Sequence, residues 1–244
     1  MDTQDFRNEL YCQYVTGFKG LDRSMDAQYL EGYLAWCRFK LGPFLAKISR
    51  DAPVLEVGCG PGNLLLYLAR EGFTEARGID ISEEQVQIAL ERGLDVEMAD
   101  VFGFLRRAST KFQVVFAIDF VEHFGKDELV ELLRLIHGVL EDDGCLIIQT
   151  PNGQGLFSRQ VIYADLTHLT VLSPSSLRQV LHLAGFCDPC FAETGPVPRD
   201  IKGKGRVVLW KAVNLVASLI RVIETGKTQS IWTENLICVA HKCS

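Results

Sequence analysis

The sequence predicts a doubly wound α/β fold, a parallel sheet with helices on both faces. Three observations predict it. From residue 53 onward, short apolar runs alternate with amphipathic stretches at strand–helix–strand spacing. Two of those runs, VVFAI and LIIQT, are continuously apolar, as strands buried on both faces are. A glycine-rich loop, Gly58-Cys59-Gly60-Pro61-Gly62, follows the first strand directly and precedes a helical run, LLLYLA.

The elements are expected in this order. Residues 1–50 form a helical cap, because Tyr29, Leu30, Tyr33, Leu34, Trp36, Cys37, Leu41 and Phe44 recur at roughly helical spacing. Residues 51–244 form the main domain. Strands are expected at 53–57, 76–80, 94–98, 112–118 and 144–150, with helices at 62–71, 83–92 and 127–139. A Gly-rich loop follows at 151–155. The next helix, 174–184, has clean ends: Ser173 to cap it, Pro174 in its first turn and Gly185 to close it. Late strands are expected at 187–193 and 235–241, separated by a helical insertion at about 200–226.

Within that insertion, residues 207–223 place Lys211, Asn214, Ser218 and Arg221 within about 80° of a helical wheel, leaving a wide apolar face. That face is expected to pack on its own domain or on a twin subunit, so the protein is read as a monomer or homodimer. Arg199, Lys202, Lys204 and Arg206 lead into it, so a second reading rests the helix on a membrane surface or a lipid-linked acceptor.

Composition narrows the function classes. A chain of 244 residues suits one large domain, and 48% hydrophobic with 23% charged residues describes a globular protein. A net charge of −6 lacks the basic footprint of a nucleic-acid binder. The N-terminal MDTQDFRNEL has neither a basic nor an apolar leader region, and no uncharged apolar stretch reaches 18 residues. The eight cysteines read as reduced thiols, several within apolar runs, so a reducing cytoplasm is the expected location.

Glycines let a backbone turn sharply and approach a ligand, and the helix behind them offers N–H groups to it. Acids stand at the matching strand ends: Glu56 within the first, Asp80 closing the second, Asp100-Val101 past the third, and Asp119 leading to Glu122-His123 after the fourth. A dinucleotide site would want G-x-G-x-x-G, but here the third glycine comes one residue early and position 63 is Asn.

With these residues in place, the chain resembles the class I S-adenosylmethionine-dependent methyltransferases. VLEVGCGPGNLLLYLA is similar to their first motif, GIDIS to the second, MADV to the third and FQVVFAIDFVEHF to the fourth. The resemblance covers about residues 50–194. It implies a Rossmann-like, seven-stranded, mostly parallel sheet whose last strand is antiparallel, and S-adenosylmethionine as cofactor with S-adenosylhomocysteine as product. It also implies a donor-binding set of Glu56, Gly58, Cys59, Gly60, Gly62, Asp80, Ile81, Asp100, Val101, Ile118 and Asp119. Asp80 would take the ribose, while Asp100 and Val101 would frame the adenine. Two subgroups are similar. Ubiquinone-pathway O-methyltransferases share the acid-x-x-Glu-His ending. Methyltransferases of surface-polysaccharide and natural-product sugars share Asp165-Leu166-Thr167-His168 and SPSSLRQVLHLAGF, and match more of the chain.

Methyl transfer needs a positioned acceptor, a dry site and, for a hydroxyl, a base; histidine suits that role. His123 and His168 are the candidates, while His137, His182 and His241 fall within helix or strand runs. Alternatively, His168 is a loop residue tied to Asp165. Asp119, Glu122 and His123 would share one face if helical and could hold a divalent cation, but the preferred reading uses no metal. Cys187-Asp188-Pro189-Cys190 lacks two further zinc ligands at matching spacing and reads as two reduced thiols. The expected activity is O-methylation of a small-molecule hydroxyl such as a sugar. The alternatives are metal-assisted methylation of a quinone-precursor phenol and a donor-binding module without catalysis.

Overall fold

The computed structural model describes residues 27–243, so the first 26 residues of the expected cap lie outside the described residues. In chain order the elements are α1 (Ala27–Lys40), α2 (Gly42–Leu45), β1 (Val54–Val57), α3 (Asn63–Arg70), β2 (Ala76–Asp80), α4 (Glu83–Glu91), β3 (Val96–Met98) and α5 (Val101–Arg107). There follow β4 (Phe112–Ile118), a 3-10 turn (Val121–His123), α6 (Lys126–Val139), β5 (Leu140–Pro151) and α7 (Arg159–Tyr163). The chain continues with α8 (Pro174–Leu183), β6 (Phe186–Glu193), α9 (Ile201–Thr225) and β7 (Asn235–Lys242).

The strands form one seven-stranded sheet in the order β3-β2-β1-β4-β5-β7-β6. Neighbours are parallel from β3 to β5, and β7 runs antiparallel to both β5 and β6. Side chains alternate between two cores, as the two-residue period of a strand requires. Leu55, Val57, Val115, Ala117, Leu146 and Ile148 face α5, α6 and α8. Val54, Val114, Phe116, Cys145 and Ile147 face α1, α2 and α3. The helices before β1 therefore share a core with the sheet, through Leu34, Cys37, Leu41 and Leu45. Chain order reverses between β1 and β4, and such a switch point opens a crevice at the carboxyl edge of a parallel sheet.

Strand positions match the expected ones within a few residues, and two short helices were not expected. α5 is capped by Asp100, whose Oδ2 accepts the Gly103 N–H at 2.7 Å. α7 spans five residues in the loop after β5. Ser173 caps α8 as expected, accepting the Ser176 N–H at 3.2 Å.

Two expectations are corrected. Cys187 is disulfide-bonded to Cys243 rather than reduced, because β6 and β7 place their ends side by side; Cys190 is a free, exposed thiol. Asn214, Ser218 and Arg221 of the α9 polar stripe turn inward while Lys211 stays exposed, and the apolar face points outward, the reverse of ordinary amphipathic packing. Trp210 Nε1 donates to Glu193 Oε2 at 2.9 Å, and Asn214 Nδ2 donates to the same carboxylate at 3.2 and 3.3 Å. A carboxylate at the end of β6 needs donors, and the polar side of α9 supplies them.

Candidate active site

The loop after β1 sets the site's floor. Gly58 has φ +67°, and a Cβ there would collide with the Phe120 ring. Gly62, at φ +76°, is the N-cap residue of α3, and a Cβ there would collide with Leu94. Both positions therefore demand glycine for conformation, and Gly58 for space as well. Asp80 ties this loop to the end of β2: its Oδ2 accepts the Gly60 N–H and its Oδ1 accepts the Ser82 N–H, each at 2.8 Å.

Above the loop lies a cleft of about 290 Å³, near the lower end for small-molecule sites. Of the sequence-predicted donor residues, Glu56, Gly58, Cys59, Gly60, Asp80, Ile81, Asp100, Val101, Ile118 and Asp119 line it. Gly62 does not; it shapes the helix start from behind. His123 lines the cleft, and His168 stands outside its wall, edge-on to His123 with ring centroids 5.0 Å apart. Tyr33 of α1, Gln85 of α4 and Phe120 also line it, which the sequence reading missed. Tyr33 stood in the helical aromatic pattern, but nothing local showed that it would meet the glycine loop.

Glu56 is 4% exposed, and its Oε2 has no hydrogen-bond partner. Burial, then the nearby charge of Asp80, pushes its carboxyl well above the usual range, opposed by the Leu65 backbone. A buried carboxylate facing a cleft is matched to a cation. Burial likewise raises the Tyr33 hydroxyl and the Cys59 thiol, so both stay protonated near neutrality.

At the end of β4, Asp119 adopts φ +48° and accepts Gln149 Nε2 on both carboxylate oxygens at 3.0 Å. This left-handed residue and the following 3-10 turn break the helical spacing expected for Asp119, Glu122 and His123. Asp119 therefore stands apart, and among the described residues Glu122, His123 and His168 bring potential ligand atoms within 4.8 Å of one another. Glu122 is buried and accepts the Thr150 hydroxyl at 3.0 Å.

The loop after α7 closes over this turn, because the Leu169 and Thr170 N–H groups donate to the Glu122 carbonyl at 2.9 and 3.0 Å. Asp165 Oδ1 accepts the Thr167 N–H at 2.9 Å and the Thr167 hydroxyl at 2.6 Å. Thr167 Oγ1 lies 2.8 Å from His123 Nδ1. Its proton is committed to Asp165, so the hydroxyl accepts from His123, which places the neutral-ring proton on Nδ1 and the lone pair on Nε2. His168 Nδ1 lies 3.1 Å from the Ile162 carbonyl, which can only accept, so its lone pair is also on Nε2. Asp165 thus anchors Thr167.

A family profile described as a methyltransferase domain matches residues 29–188. Trans-aconitate 2-methyltransferase from Mycobacterium sp. (strain KMS) is 34% identical over 139 residues, covering 54% of this chain and 53% of that protein. The chain thus spans about half the length of the curated relatives it matches first. Among solved structures, a SAM-dependent methyltransferase from Archaeoglobus fulgidus superposes with a TM-score of 0.66 at 22% identity, over 99% of this chain and 100% of that one. The 1,6-didemethyltoxoflavin-N1-methyltransferase of Burkholderia thailandensis gives 0.60 at 19% identity, over 100% and 92%. The last two likenesses concern the fold.

Proposed function

Because the chain belongs to the methyltransferase-domain family, we propose that it transfers a methyl group from S-adenosylmethionine to a hydroxyl of a small molecule such as a sugar. The observation that carries the donor half is the buried, unpartnered Oε2 of Glu56 beside a glycine cradle. It offers an acceptor to the donor's ammonium group. Asp80 would accept the ribose hydroxyls, since a carboxylate oxygen holding one amide can take another donor. Ile81 and Val101 would flank the adenine, with Asp100 at its edge. Ile118 and Asp119 would border the methionyl end. Cys59 fills space under the loop against Gly78.

Bound S-adenosylmethionine supplies an electrophilic methyl group on a sulfonium leaving group. The protein's task is then to orient the acceptor, exclude water and take one proton. His123 Nε2 would take the hydroxyl proton, with Thr167 and Asp165 holding the ring and stabilising the imidazolium that forms. His168 would steady it from the side.

The curated relatives are named for trans-aconitate, a polyanion. Among the described residues lining this cleft there is no Lys or Arg, while Glu56, Asp80, Asp100, Asp119 and Glu128 are present. Such a lining offers a polycarboxylate no cationic partner, which favours an uncharged acceptor. A second reading has its own support: Glu122, His123 and His168 form a carboxylate–imidazole set, with His123 and His168 each bonded through Nδ1 to an outer partner, as metal-binding histidines are. There, a divalent cation would acidify a phenol.

Calorimetry with S-adenosylmethionine and S-adenosylhomocysteine tests the donor. No binding at up to millimolar ligand sinks the reading. Turnover on a polyol and phenol panel, with and without chelator, separates the two acceptor readings.

A further inference from the structure

Helix α9 carries its apolar side in the open. Leu215, Leu219, Ile220 and Ile223 are 73%, 59%, 61% and 77% exposed, and the apolar positions cover roughly half of the helix circumference. The helix cannot roll to bury them, because Trp210 and Asn214 on the opposite side are bonded to Glu193. Exposed apolar area on this scale marks an interaction surface.

Charge indicates what covers it. The helix holds Lys202, Lys204, Arg206, Lys211 and Arg221 against one acid, Glu224, in a chain of net charge −6. On the helical wheel, Lys204 and Lys211 stand at one margin of the apolar arc, and Lys202 and Arg206 at the other. Long basic side chains at both margins can bury their stems and lift their charges to a polar surface. Among the described residues, no helix is long and apolar enough to cross a membrane. Two copies meeting through this face would set the same basic margins against each other.

We propose that α9 is a docking helix that lies on the surface of an anionic lipid bilayer, its apolar arc in the acyl boundary and its marginal lysines among acidic headgroups. The groove beside it extends the apolar surface to Leu156 and Trp232. Leu156 opens the loop that also carries Thr167 and His168, so docking would occur beside the catalytic loop. The proposal does not depend on the identity of the methyl donor.

Vesicle flotation without donor tests it. The protein should float with phosphatidylcholine vesicles that contain phosphatidylglycerol, and should stay behind with pure phosphatidylcholine. Rising salt should release it. Leu219→Asp with Ile223→Asp should abolish flotation while leaving the melting temperature and donor binding unchanged. Lys204→Glu with Lys211→Glu should weaken it about tenfold or more. Failure to float with anionic vesicles overturns the proposal. So does equal binding to neutral vesicles, or binding that the paired aspartates leave intact. A stable dimer in sedimentation equilibrium that those aspartates convert to monomer would assign the face to a second copy instead.

Discussion

The Thr167 hydroxyl reaches His123 Nδ1 at 2.8 Å across 44 residues of sequence, and donates its own hydrogen bond to Asp165. One side chain therefore sets the tautomer of the proposed base. Thr167→Val removes both hydrogen bonds while preserving shape. It should lower kcat by about 10- to 100-fold, the range of a misplaced general base, without changing donor affinity. Thr167→Ser should restore most of the rate. The ring's ¹⁵N shifts, which distinguish Nδ1–H from Nε2–H, should move in the valine variant alone.

Asp80 holds the Gly60 and Ser82 amides and is assigned to the ribose. Asp80→Ala should weaken S-adenosylhomocysteine binding by about 30-fold or more, since charge-assisted hydrogen bonds contribute roughly 1.5–3 kcal/mol each. His168→Ala should leave that binding within about twofold, because its ring is outside the cleft wall. Calorimetry on both variants checks the order; the reverse order would undo the assignment of roles.

Glu56 carries a pH dependence whose sign follows from its burial. Its folded carboxyl titrates above the usual range while the unfolded one does not, so the donor-free fold binds the extra proton. That contribution to stability is present below the ordinary carboxylate range. It is lost as pH rises through the raised value. Glu56→Gln should therefore flatten the fall in melting temperature as pH rises above the ordinary carboxylate range in donor-free protein. The same change should weaken donor binding. In the parent protein, donor binding should release protons, visible as a calorimetric enthalpy that varies with the buffer's ionisation enthalpy.

Gly58→Ala meets two obstacles, a left-handed backbone and the Phe120 ring. It should destabilise the fold by about 2–4 kcal/mol, as strain and overpacking each contribute of order 1–3. Phe120→Ala in the same chain should recover the steric part and leave the backbone part. Chemical denaturation of the two single variants and the double variant separates them.

Much of the fold was legible because local pattern and tertiary context agree there. VLEV, FQVVFAI and CLIIQT are buried strands in sequence and in space, and the acids at their ends line one cleft because a parallel sheet gathers its carboxyl edges. The rest depended on partners distant in sequence. α5 is short and holds a glycine, so periodicity did not show it. Asp119 separates from Glu122 and His123 through one left-handed residue, which no periodicity shows. The polar stripe of α9 turns inward for Glu193, a residue outside the helix whose position only the folded sheet fixes. Tyr33 enters the cleft because α1 packs on α3, a contact with no local signature.

The place of β7 in the sheet has a consequence for synthesis. It is the latest strand in the described chain, yet it sits between β5 and β6. Until residues 235–242 pair, β5 lacks a neighbour on one side and β6 has none. Open edges of this kind invite pairing with other chains. The chain is thus most open to mispairing until β7 inserts, and holding chaperones should matter more for its yield than for a sheet that closes in chain order.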